Sequence, residues 1–137
     1  MPSVNSFPIV EEYYSTIFHE LIHSTGHANR VGREGIEHVE RFGSESYSKE
    51  ELIAEMGAAM ICGLTGIAPI TIPNSAAYLQ NWIKVLKGDS KLLVQAASQA
   101  QKACDYIRGI KPAESKPDST EETQTPTDTD TDTDTAD

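Results

Sequence analysis

Residues 19–27 read His19-Glu20-Leu21-Ile22-His23-Ser24-Thr25-Gly26-His27, and the rest of the chain is best understood outward from them. His19, Glu20 and His23 form the pattern H-E-x-x-H. A helix turns by about 100° per residue, so side chains four apart stack on one face. Two imidazoles at that spacing can hold one metal ion, and a glutamate beside them can reach a water in the open coordination position. The residue types and their order point to metal-assisted hydrolysis. His19 and His23 are the expected ligands and Glu20 the expected general base.

The neighbouring residues supply the helix that this geometry requires. Val10, Tyr13 or Tyr14, Ile17, Phe18, Leu21 and Ile22 recur at three- and four-residue steps and are expected to form an apolar face. The start falls between Ile9 and Glu12, where Glu11 and Glu12 suit the positive end of the helix dipole. Gly26 is the expected terminator. Before this helix, Pro2 and Pro8 favour an extended or irregular segment. After it, residues 28–47 are rich in Gly, Ser and charge, which predicts a long connection with one short strand or turn near Ile36–Phe42.

Ser48-Lys49-Glu50-Glu51 matches a capping box and predicts the start of a second helix. Leu52, Ile53, Met56, Ala59 and Met60 would form its buried face, and Gly57, Ala58 and Ala59 would let another helix come close. Gly63 or Gly66 would end it. Residues 67–73, with prolines at 69 and 73, are expected to be extended or turning. A third helix is expected over Ser75–Lys87, capped by Asn74 or Ser75, with Ala76, Leu79, Trp82 or Ile83, and Leu86 inward. Asp89 or Ser90 caps a fourth, reaching about Ile107 on a stripe of Leu92, Leu93, Ala96, Ala100, Cys104 and Ile107.

A catalytic zinc site commonly has three protein ligands. The longer pattern H-E-x-x-H-x-x-G-x-x-H would draw the third from this same segment. Gly26 fits, but position 29 is Asn29. His27 comes two residues too early, which leaves it as an outer donor or alternative ligand, or as an exposed loop histidine. The second helix offers a better source. Glu51 and Glu55 are four apart and share a face. Glu51 is the expected ligand, and Glu55 is expected to accept the free N–H of a ligating imidazole. The reversed assignment and a purely capping role for Glu51 remain open on spacing alone.

Composition narrows the setting. The 137 residues carry a formal charge of −10, but the charge is unevenly placed. From Lys111 onward, nine acids stand against two lysines, and Thr-Asp repeats run from Thr127 to Thr135. This segment has almost no apolar surface and is expected to be disordered. The first 110 residues have twelve acids against nine bases and no basic stripe of the kind that tracks nucleic acid. Cys62 and Cys104 lie far apart in apolar helical patterns and read as buried free thiols. No signal peptide or membrane-length apolar run is apparent, so a cytoplasmic location is expected.

Three blocks, Tyr13–His27, Arg41–Glu55 and Asn74–Lys87, occur in the order found in the zincin-like metallopeptidase domain of ArdC-type antirestriction proteins, which this chain resembles over about residues 1–108. The resemblance implies zinc, with manganese or cobalt as alternatives. It implies His19 and His23 as ligands, Glu20 as catalytic carboxylate, and a glutamate from the Glu50–Glu55 block completing the site. It also implies carriage on mobile genetic elements and a role in shielding incoming DNA from restriction. In that family a domain that binds single-stranded DNA usually precedes this one, so such DNA is expected to be met only through a domain absent from these residues. The chain has Ser24 where the family commonly has Trp, and its active helix starts about ten residues in, short of the strands that precede it in zincins.

The expected fold is therefore α+β and predominantly α-helical: a truncated zincin-like domain over residues 1–110 and a disordered acidic tail over 111–137. The expected activity is hydrolysis of a protein or peptide substrate. The alternative is a metal-bearing, non-catalytic interaction module. His27, His38, Tyr47 and Tyr78 are the candidate oxyanion donors.

Overall fold

The computed structural model describes residues 2–37, 42 and 44–112. A short 3₁₀ turn, Val4–Ser6, leads into α1, Val10–Thr25. The turn of helix α2, Glu34–Glu37, is followed by the long α3, Glu45–Thr65, then α4, Ala68–Val85, and α5, Ser90–Ile107. The described residues are predominantly helical and include no strand, so the β part of the expected α+β class has no counterpart among them. The expected 111–137 tail lies outside the described residues beyond position 112.

Helix α3 is the hub, with α1, α4 and α5 each packed along it. Its sequence explains this role. Leu52, Ile53, Ala54, Ala58, Ile61 and Cys62 are buried on more than one side of the helix. Gly57 marks the tightest approach: a Cβ placed there would lie 2.6 Å from Ile22 Cδ1 on α1. From the other side, the Cys104 thiol of α5 donates to the Gly57 carbonyl at 3.4 Å. Ala96, Ala100 and Ala103 give α5 the small surface needed to come this close. Burying Ile22, Leu52 and Ile61 in this seam contributes about 1.5–3 kcal/mol each.

Several boundaries differ from those predicted by the sequence pattern. The cap of α3 is Ser44, whose Oγ accepts the Tyr47 N–H at 3.2 Å, and not the expected Ser48. Ser48 lies inside the helix, fully buried, and its N–H bonds to the Ser44 carbonyl. Both serines carry the same capping chemistry, and the earlier one adds a turn to the helix.

Residues 68–73 are helical, not extended. Pro69 falls in the first turn of α4, where a missing N–H costs nothing, and only Pro73 interrupts the ladder. Thr71 and Ser75 of that helix are buried, so its first half is anchored by packing; Asn74 and Ser75 are interior residues, not caps. The predicted 28–47 connection contains α2, and the part at residues 38–41 and 43 lies outside the described residues.

Other expectations hold. Gly66 adopts φ 82° and closes α3, with the Ile67 N–H returning to the Cys62 carbonyl. Asp89 caps α5 by accepting the N–H groups of Lys91 and Leu92. Both cysteines are free and buried. The apolar face of α1 is covered less than predicted: Ile22 is buried, whereas Val10, Tyr14 and Leu21 are exposed among the described residues. No described helix is long and apolar enough to cross a membrane.

Candidate metal centre

The contact between α1 and α3 brings His19, His23 and Glu51 together. One ligand atom from each lies within 4.8 Å of the others. The two Nε2 atoms are 3.0 Å apart, and they stand 3.4 Å and 3.5 Å from the Glu51 carboxylate oxygens. The helical i, i+4 step supplies the histidine pair. The close approach at Gly57, nearly two turns further along α3, sets the helix spacing that lets Glu51 reach it.

Each imidazole is backed on its other nitrogen by a different carboxylate. His19 Nδ1 lies 3.2 Å from Glu55 Oε1. His23 Nδ1 lies 3.1 Å from Glu50 Oε1. Carboxylates at these positions can accept the Nδ1 proton, so that loss of any Nε2 proton presents the Nε2 lone pairs to the shared centre. Glu55 thus lies where an orienting residue was expected, beside His19. Glu50 was not singled out by the sequence reading, which treated it as part of the cap. Its signal was its place one residue before Glu51, on the side of α3 turned toward the second imidazole.

Behind Glu50 stands Arg33, which the sequence did not distinguish at all. Its Nε and Nη2 donate to the two Glu50 oxygens at 2.8 and 2.7 Å. The same guanidinium donates to the Ile22 carbonyl and to Thr25 Oγ1, each at 2.7 Å. Arg33 is only 5% exposed, and so is Glu50, so this is an ion pair inside the fold. Gly26 ends α1 with φ −71°, so it is not there for a left-handed turn. A Cβ at Gly26 would stand 2.5 Å from Ile36 Cγ1 and 3.0 Å from Arg33 Nη2.

The charges follow this layout. Burial acts against a charged His19, but hydrogen bonds to Glu51 and Glu55 and their negative charge outweigh it, and its pKa is pushed up to about 9. Burial pushes the Glu50 carboxyl up, but hydrogen bonds and charge from Arg33 and His23 hold it below the usual carboxylate range. Glu51 is likewise held low against its burial, chiefly by His19 and His23. Partial burial and the Glu51 carboxylate push the Tyr47 phenol up, which keeps it a proton donor.

An open cleft of about 290 Å³ adjoins the centre, lined by α1 and α4 as well as α3. Glu12, Thr16, His19 and Glu20 come from α1, Glu51 and Glu55 from α3, and Asn74, Tyr78 and Trp82 from α4. Glu20 is exposed in it, and Tyr78 faces it from the opposite wall. Tyr47 packs edge-on against Trp82 at 5.9 Å. His27 is exposed on the turn after α1, where its Nδ1 accepts the Asn29 N–H at 3.3 Å. It is not part of the cluster, because Gly26 turns the chain away before the fourth residue beyond His23 is reached. His38 lies outside the described residues.

Residues 1–99 match the family described as zincin-like metallopeptidase. The chain belongs to that family. It is 35% identical over 122 residues to a DNA primase TraC of Escherichia coli, covering 89% of this chain and 11% of that protein. A second Escherichia coli DNA primase TraC is 40% identical over 107 residues, covering 78% of this chain and 7% of that protein. An uncharacterized protein, y4eC of Sinorhizobium fredii, is 33% identical over 107 residues, again 78% of this chain but 34% of the relative. The chain thus spans about a tenth of the primases and a third of y4eC. No solved structure matches it.

A zincin-like domain implies a metal, typically zinc, and the donor set suits one. Two imidazole nitrogens and one carboxylate make the three-ligand complement of a hydrolytic zinc site, and the outer carboxylates provide the support such ligands require.

Proposed function

We propose that this chain is a zinc-dependent metallopeptidase domain of the antirestriction type, with His19, His23 and Glu51 as metal ligands and Glu20 as general base. The observation that carries this reading is the convergence of the two Nε2 atoms and the Glu51 carboxylate beside a cleft that also holds Glu20. When bound, the metal supplies Lewis acidity, lowering the pKa of a water and polarising a carbonyl. Glu20 accepts the proton of the attacking water and passes it to the leaving amine. Its exposure in the cleft suits a group that must meet solvent and substrate in turn. Tyr78 is the best-placed oxyanion donor, since it lines the cleft from α4. Glu55 and Glu50 keep the imidazoles turned inward.

The substrate is a protein or peptide. Any contact with single-stranded DNA is placed outside these residues, in keeping with the names of the two primase relatives and the small share of them that this chain spans. The test is cleavage of a denatured protein mixture by zinc-loaded protein. Glu20→Gln should abolish cleavage while zinc binding persists, and unchanged cleavage would sink the proposal.

A second reading is a metal-bearing interaction module without catalysis. It is favoured by one observation: among the described residues no strand borders the cleft, so none offers an edge to hold an extended peptide. Chelator-sensitive thermal stability with no cleavage at any metal would select it.

A further inference from the structure

We infer that Arg33 is a positioning residue of the metal centre: by forking Glu50 it fixes the ring of His23, and it makes the connection after α1 part of the site. The inference rests on the reading of His19, His23 and Glu51 as ligands.

A carboxylate on a flexible side chain can rotate about its last bond, and a ring that it orients would rotate with it. Arg33 removes that freedom. Two parallel donations, Nε to Oε2 at 2.8 Å and Nη2 to Oε1 at 2.7 Å, fix the plane of the Glu50 carboxylate. In that plane Oε1 also faces His23 Nδ1, at 3.1 Å. The path from guanidinium to imidazole is therefore a chain of directed contacts with one carboxylate between them.

Arg33 itself is fixed from behind. It donates to the Ile22 carbonyl and the Thr25 hydroxyl, in the final turn of the helix that carries both histidines. The connection that delivers it folds back onto that helix end, with the Val31 N–H on the Thr25 carbonyl at 2.9 Å and the Arg33 N–H on the Gly26 carbonyl at 2.8 Å. Gly26 leaves room for the approach, since a Cβ there would press on the guanidinium and on Ile36. One side chain thus joins the end of α1, the connection and α3 at a single buried point behind His23. Among the described residues His19 has no such connection: Glu55 reaches it from α3, on the cleft side.

A lysine at position 33 keeps the charge but offers no planar fork, so it cannot fix the carboxylate plane. The experiment measures zinc affinity of the full chain by competition with a chromophoric chelator, well below the melting temperature of the metal-free protein. Arg33→Lys should weaken zinc binding about ten- to 100-fold. The route through Glu50 is tested with a cycle in which Arg33→Gln is made alone and on Glu50→Gln. In that background the carboxylate that Arg33 forks is already gone, and the arginine change should cost less than about twofold. In the metal-free protein, ring ¹⁵N shifts should report one His23 tautomer for the parent and a mixture for Arg33→Lys, with His19 unchanged.

Equal zinc affinities of parent and Arg33→Lys would overturn the inference. So would losses that simply multiply across the cycle, or an unaltered His23 tautomer. A parent protein that binds no zinc would overturn the metal site itself, a result distinct from any of these. If Arg33→Gln alone does not fold, comparison of Glu50→Gln with the double variant still decides the route, since a further loss of more than about tenfold there would mean that Arg33 acts without Glu50.

Discussion

The two imidazoles are braced by carboxylates of the same helix, five residues apart, in very different surroundings. Behind His23, Glu50 is buried, forked by a buried arginine and tied to the end of α1. Behind His19, Glu55 lines the open cleft, and no described arginine or lysine stands within ion-pair distance of it. Each ring has a carboxylate at its Nδ1, but only the plane of Glu50 is itself fixed by a described arginine. The arginine behind His23 serves the fold as well as the ring, because its buried ion pair and its donation to the Ile22 carbonyl add to the backbone hydrogen bonds that already hold the connection to the end of α1. The candidate metal centre therefore has a structural half and a solvent-facing half.

Removing the brace on the structural side should have the largest effect. Glu50→Ala leaves Arg33 buried without its partner, which should cost about 3–5 kcal/mol of stability. Chemical denaturation of the metal-free protein measures it. Gly57→Ala acts on the seam that both halves share, since its Cβ would overlap Ile22 Cδ1. The expected loss is about 1–3 kcal/mol, with weaker zinc binding because Glu51 is moved relative to the histidines. Glu55→Gln should leave stability within about 1 kcal/mol of the parent. Its effect should appear as an approximately tenfold loss of zinc affinity. Equal destabilisation by Glu50→Ala and Glu55→Gln would remove the distinction between the halves.

Proton linkage probes the solvent-facing half. With its pKa near 9, His19 is protonated at neutral pH in the metal-free protein, and a ligand nitrogen must lose that proton. Zinc binding at pH 7 should therefore release about one proton from His19, measurable by calorimetry in buffers of different ionisation enthalpy. The same shift has a sign for stability. A histidine whose pKa is raised on folding stabilises the folded state fully below its unfolded value of 6.5, and that contribution fades as pH rises through about 9. Glu50 and Glu51, held low, act oppositely and lose their contribution as pH falls below 4.5. Metal-free protein should be most stable between about pH 4.5 and 6.5 and weaken progressively above that range, and melting curves across pH would show it. Zinc-loaded protein should lack the alkaline decline.

Much of this arrangement is legible in the residues. H-E-x-x-H needs only helical periodicity to place His19 and His23 together, and Glu51 with Glu55 needs only the same rule on a second helix. Asp89 and Gly66 are local signals, and their chemistry acts within a few residues. Ser44 and Ser48 show the limit of such signals: both can cap, and the number of turns packed against the rest of the fold distinguishes them. Pro69 and Pro73 show it again, since burial of Thr71 and Ser75 keeps α4 helical despite one lost hydrogen bond.

The sequence by itself determined the candidate donors, their order and the chemistry they suit, because the spacing of side chains on a helix is a local property. It could not single out Glu50 from its neighbour or show any reason for Arg33. Those roles depend on which face of α3 meets α1 and on how the connection after Gly26 folds back. Contacts between residues 17 and 27 positions apart carry no periodic signature. Only the packed helices decide that one imidazole is braced from the interior of the protein and the other from its cleft.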